Sequence, residues 1–131
     1  MYIAGTIDGL AQDTIGNLDL SDKRGLVFIA GAASAGPRIE MFAWNRVESL
    51  TYGDKVSNRW TVVISTHFGA PFNIRRRHFL TIAFEDDRGQ PGAVLLELAK
   101  GAASSTILVI EARTGRKVRY ESQEDEMHLH G

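Results

Sequence analysis

The residues best equipped for chemistry lie between two apolar stretches, in His67-Phe68-Gly69-Ala70-Pro71-Phe72-Asn73-Ile74-Arg75-Arg76-Arg77-His78. A guanidinium holds a phosphate through two parallel hydrogen bonds, so Arg75, Arg76 and Arg77 could grip anionic headgroups while Phe72 or Ile74 inserts beside them. Basic lipid sites ordinarily gather about 4–8 cations, more than this loop carries. Arginines beside a strand also commonly pair with acids such as Asp86 and Asp87, or stay solvated, and that is the preferred reading of the cluster.

Other constellations are weaker still. Trp60, Phe68 and Phe72 could stack on nucleobases. The chain, however, balances 15 Lys plus Arg against 16 Asp plus Glu for a net charge of -1, so no general field draws nucleic acid, and none is expected as a partner. His128 and His130 with Glu124, Asp125 and Glu126 offer metal ligands, but in a polar terminal stretch without structure to fix their geometry; no metal or cofactor is expected. Ser104 and Ser105 lack a nucleophile elbow, His67 and His78 have no acid partner in sequence, and Asp86-Asp87 falls in a turn. Gly31 to Gly36 has neither the Lys-Ser/Thr ending nor the following helix of a phosphate loop. Zero cysteines exclude disulfides, thiolate nucleophiles and thiolate zinc sites. No acid–base set emerges, and the expectation is a protein that is not an enzyme.

These residues hang on a framework that alternation makes legible. Leu18 and Leu20, then Leu26 and Phe28, sit at period two on either side of Ser21-Asp22-Lys23-Arg24-Gly25, which predicts a hairpin with Gly25 supplying a positive φ. The small residues Gly31 to Pro37 read as a flexible loop. Extended segments follow over Arg38 to Phe42 and Val47 to Tyr52, with a turn at Asn45. Three more follow over Trp60 to Thr66, His78 to Glu85 and Ala93 to Leu98. The last two flank Asp86 to Gly92, a strong turn signal, and are predicted to pair antiparallel. After Gly101 the period changes: Ala103, Ile107 and Ile110 share a helical face, Glu111 and Arg113 point outward, and Gly115 stands at the C-terminal cap. Lys117 to Glu121 alternates again as a short final strand. The resulting class is mainly β, a small barrel or sandwich covered by one C-terminal helix.

The run Gly16 to Phe28, followed by Ile39, Trp44, Val47, Ser49 and Leu50, resembles the opening hairpin of bacterial pleckstrin-homology-like and GRAM-like domains. The resemblance extends loosely over Gly16 to Gly115. It implies a seven-stranded barrel capped by a helix, and a binding or scaffolding role, with a protein partner or a second copy of the chain as the occupant and anionic lipid at Phe72 to Arg77 as the alternative. Two features depart from that pattern. Ala43 stands where such domains often have proline, and Lys117 to Glu121 adds a strand that would pair with Met1 to Ile7 or with another chain.

With 131 residues, 44% of them hydrophobic, residues 1–122 are read as one domain and 123–131 as a frayed tail. The opening residues lack a basic start and an apolar run, and the longest apolar stretch falls short of the roughly 20 residues of a membrane span. A cytoplasmic protein without a transmembrane segment is the default expectation.

Overall fold

The computed structural model describes residues 2–5, 15–33, 36–53, 78–86, 88–99 and 101–120. Its strands are β1 (Tyr2–Gly5), β2 (Gly16–Asp19), β3 (Gly25–Ala33), β4 (Gly36–Ala43), β5 (Val47–Gly53), β6 (Phe79–Glu85), β7 (Pro91–Leu96) and β8 (Val118–Tyr120). A single 3-10 turn at Trp44–Arg46 joins β4 to β5, and helix α1 spans Ala103–Thr114. The class is mainly β, as the alternation predicts. The strands form two sheets, β2-β3-β4 and β1-β7-β6-β5-β8, and no barrel closes among the described residues.

The three-stranded sheet is two successive antiparallel hairpins. Leu18 stands opposite Phe28, and Phe28 opposite Glu40, so strand parity sends Leu18, Leu26, Phe28, Ala30 and Phe42 to the core. The β2–β3 connection is built from local carboxylate bonds. Asp19 Oδ1 accepts from the Ser21 N–H at 2.9 Å and the Ser21 hydroxyl at 2.5 Å, and Asp22 Oδ1 accepts from the Arg24 N–H at 2.8 Å. Gly25 is required here for close approach and not for a positive φ, which belongs instead to Gly89, Gly101 and Gly115. A Cβ at Gly25 would overlap the Phe42 carbonyl, with its carbon only 2.7 Å away, so β3 and β4 meet over bare backbone.

The stretch expected as a flexible loop is largely strand. Gly31 to Ala33 continues β3 and Gly36 opens β4, with Ala33 opposite Gly36 after a register shift. Small residues can continue a ladder, because the backbone supplies its hydrogen bonds; what they lack is an alternation visible in sequence.

Trp44 turns the chain from one sheet to the other. Its backbone N–H donates to the Arg24 carbonyl at 3.1 Å and its indole Nε1 donates to the Asp22 carbonyl at 3.0 Å, pinning the corner against the β2–β3 turn. A bulge at Glu48 follows: Val47 pairs with Phe84 and Ser49 with Ala83, so two steps on β5 match one on β6. The parity flip lets Val47 join Leu50 and Tyr52 in the same core, which simple alternation from Val47 would forbid.

In the five-stranded sheet β6 and β7 form the predicted hairpin, turning through Asp86 and Gly89. Leu80, Ile82, Val94 and Leu96 face the shared core, with Phe84 partly buried at its edge. The reverse face is buried as well, at Phe79, Thr81, Ala83, Ala93 and Leu95. Strands covered on both sides read as continuous apolar runs, and Phe79 to Phe84 and Ala93 to Leu96 are such runs.

Helix α1 lays Ile107 and Ile110 into the core. No side chain caps its N-terminus, an omission that costs about 0.5–2 kcal/mol. Burial of the two isoleucines contributes roughly 1.5–3 kcal/mol each, so packing rather than capping holds the helix. Its end is the one expected, with Gly115 at φ 70° and its N–H donating to the Glu111 carbonyl. Glu111 does not point to water as expected: its Oε2 accepts from the Val118 N–H at 2.8 Å and ties α1 to β8. The final strand runs parallel to β5, Leu50 opposite Val118, while β1 pairs with β7, so among the described residues β8 does not join β1, the described part of Met1 to Ile7.

Candidate interaction face

The outer face of the three-stranded sheet carries the most unusual surface among the described residues. Residues directly opposite in antiparallel strands share a face, so Asn17, Ile29 and Ile39 form one row across the sheet and Asp19, Val27 and Met41 the next. The rows are polar at β2 and apolar at β3 and β4. Ile39 is 62% exposed and Met41 47%, while Ile29 and Val27 beside them are half-buried. Ile15, just ahead of β2, is 75% exposed. Single exposed apolar residues are ordinary; a contiguous patch of them on one face is where binding surfaces are found.

Register, not composition, creates this patch. Leu26 and Phe28 are fixed inward by the core, and through the β3–β4 ladder they draw Phe42 and Glu40 to the same side, leaving Ile39 and Met41 outside. Helix α1 also exposes Leu108 and Val109. That pair stands between the exposed Ser105 and Ala112 on the same helix.

The residues singled out for chemistry fare differently. Phe72, Ile74, Arg75, Arg76 and Arg77 lie outside the described residues, as do Trp60, His67, Phe68, Asp87 and the segment carrying Glu124, Asp125, Glu126, His128 and His130. His78 stands just ahead of β6 with its ring stacked on Tyr52, centroids 5.9 Å apart, and Tyr52 meets Tyr120 edge-on at 6.4 Å. Asp86 is committed to its turn. Its Oδ1 accepts from the N–H groups of Arg88 and Gln90, at 2.9 and 2.8 Å, and its carbonyl accepts from Arg46 at 2.8 Å. Ser105 donates its hydroxyl to the Ala102 carbonyl in the first turn of α1. Among the described residues no group of three or more histidines and acids comes together as a metal site, and no helix is long and apolar enough to cross a membrane.

Asp19 and Asp22 both hold their carboxyls below the ordinary aspartate value. For Asp19 the Ser21 hydroxyl is the main cause and the Ser21 N–H the next; for Asp22 the Arg24 guanidinium leads, at 3.0 Å from Oδ2, followed by the Arg24 N–H. Each is a turn-building carboxylate satisfied within its own connection.

The sequence predicts an extended segment at Arg38 to Phe42 but does not say which side faces out. The available signal was the competition between two sets, Ile39 and Met41 against Phe42, which only the partner strand resolves. No protein-family model matches the chain, and comparison with curated proteins finds no relative.

Proposed function

We propose that this chain is a non-enzymatic interaction module that binds protein through the outer face of the β2-β3-β4 sheet, on a framework of the pleckstrin-homology-like kind. Two sheets, antiparallel except for β8, that share one core with a C-terminal helix are in keeping with that framework. The observation that carries the reading is the exposure of Ile39 and Met41 beside Ile29 and Val27. Covering a side chain of this size contributes roughly 1.5–3 kcal/mol, which makes such a row a source of affinity once a partner excludes water from it. The polar groups best placed for acid–base work, Asp19, Asp22 and Asp86, instead close turns.

The test is a photo-crosslinking amino acid placed at Ile39, or at the exposed polar Glu48 as the control, in the full chain expressed in its own cell. Protein adducts form from position 39 and not from position 48. Adducts of equal yield at both positions, or none at 39, would overturn the reading.

A further inference from the structure

Helix α1 and the strand behind it are charged unlike the rest of the chain. From Gly101 to Tyr120 there are four cations, Arg113, Arg116, Lys117 and Arg119, against one acid, Glu111, a net charge of +3. The whole chain stands at -1, so all the other residues together carry -4. The one acid of this stretch is spent inside the fold, where Glu111 Oε2 accepts the Val118 N–H at 2.8 Å. All four cations are exposed, and none of them has an ion pair.

The same helix turns apolar side chains outward. Ile107 and Ile110 fix the inner side, which leaves Ser105, Leu108, Val109 and Ala112 along the outer one at i, i+3, i+4 and i+7, all of them exposed. Leu108 is 61% and Val109 39% exposed. Large apolar residues between two small ones make a low ridge of the kind that enters a groove of another protein. Arg113 follows Val109 at i+4, and the left-handed Gly115 then turns the chain through Arg116 and Lys117, so the cations gather at one end of the ridge.

We infer that this outer side of α1, with the basic turn at its C-terminal end, is a second docking site, and that it takes an acidic, apolar-faced segment of a partner protein. The inference does not depend on the outer face of the three-stranded sheet. Charge selects the partner. An extended polyanion such as a membrane gathers about 4–8 cations on one surface, whereas here strand parity sets Arg119 on the opposite side of β8 from Val118 and Tyr120, which pack on the core, and three cations remain at the helix end. The acidic remainder of the chain also opposes a broad anionic surface, but not a contact confined to this end. Guanidinium groups hold carboxylates through paired hydrogen bonds. Exposed ion pairs add little by themselves, so the charges orient the partner and Leu108 and Val109 hold it.

The experiment titrates the full chain with a synthetic helical peptide that has leucines along one face and glutamates elsewhere, and with its counterpart carrying glutamine for every glutamate. Fluorescence anisotropy gives the affinity and amide NMR the site. The glutamate peptide binds at least ten times more tightly, and the shifted signals centre on Leu108, Val109 and Arg113. Arg116→Glu/Lys117→Glu removes the preference for glutamate, Arg116→Lys keeps it, and Leu108→Glu, at an exposed position, weakens the glutamate peptide at least tenfold. Equal affinity for the two peptides, or shifts centred on Ile39, overturns the inference. So does tighter binding to vesicles of phosphatidylcholine with phosphatidylserine than to the peptide, which would assign this end to a membrane. Binding that appears only after Glu124→Gln/Asp125→Gln/Glu126→Gln would make the chain's own C-terminal segment the occupant, and would overturn it too.

Discussion

Asp19 and Asp22 show how much of this protein's local order rests on carboxylates that turn back on their own backbone. Both are more acidic folded than unfolded, so a proton binds the unfolded chain more readily. Their stabilising effect is complete above the ordinary aspartate pKa of about 3.9 and is lost as pH falls through the lowered folded values. Ser21→Ala removes the first cause at Asp19, and the decline of the urea midpoint from neutral to acid pH becomes shallower. An unchanged acid limb would contradict this assignment. Gly25 sets the other residue-scale constraint. Gly25→Ala forces a methyl group into the Phe42 carbonyl and destabilises the fold by about 1–3 kcal/mol in denaturant unfolding, the range for overpacking. A cost under half of that would show that β3 and β4 can part locally. Both turn and glycine are visible in sequence, but the role of Gly25 is not: a positive φ and a close approach call for the same residue, and only the neighbouring strand tells them apart.

At the scale of elements, α1 offers a contrast internal to one helix. Ile110 is fully buried and Leu108 is 61% exposed, two positions apart on opposite sides. Ile110→Ala leaves a cavity in the shared core and costs about 2–5 kcal/mol, whereas Leu108→Ala stays within about 0.5 kcal/mol. Equal losses in thermal or urea unfolding would mean that α1 does not seal the core. This element was the most legible in the sequence, because the change of period at Ala103, Ile107 and Ile110 and the glycine at 115 name its face and its end. The strand elements were legible in their existence more than in their extent. Gly31 to Ala33 has no large side chains to mark it as strand, and the bulge at Glu48 shifts parity in a way that alternation cannot anticipate. Burial on both faces of β6 and β7 is encoded as apolar runs, yet alternation alone assigns only one face of each run and leaves Phe79 and Leu95 without a place.

For the whole molecule, the shared core of two sheets and one helix follows from the pattern of apolar residues, while the surface that matters depends on which strand pairs with which. Arg75, Arg76 and Arg77 are conspicuous in the sequence because they are charged; Ile39 and Met41 are not, because an exposed apolar residue looks identical to a buried one until the register is known. As parts of a binding face, these two side chains serve association and contribute nothing to folding. A side chain retained for association should be replaceable without loss in the isolated chain, since surface substitutions ordinarily change stability by less than about 0.5 kcal/mol. The most direct measurement is therefore urea unfolding of the isolated wild-type chain and of Ile39→Ser/Met41→Ser at the same dilute protein concentration. The two midpoints coincide to within the equivalent of about 0.5 kcal/mol. A double variant that unfolds clearly earlier than the wild type would show that Ile39 and Met41 are structural, and would contradict their assignment to a binding face.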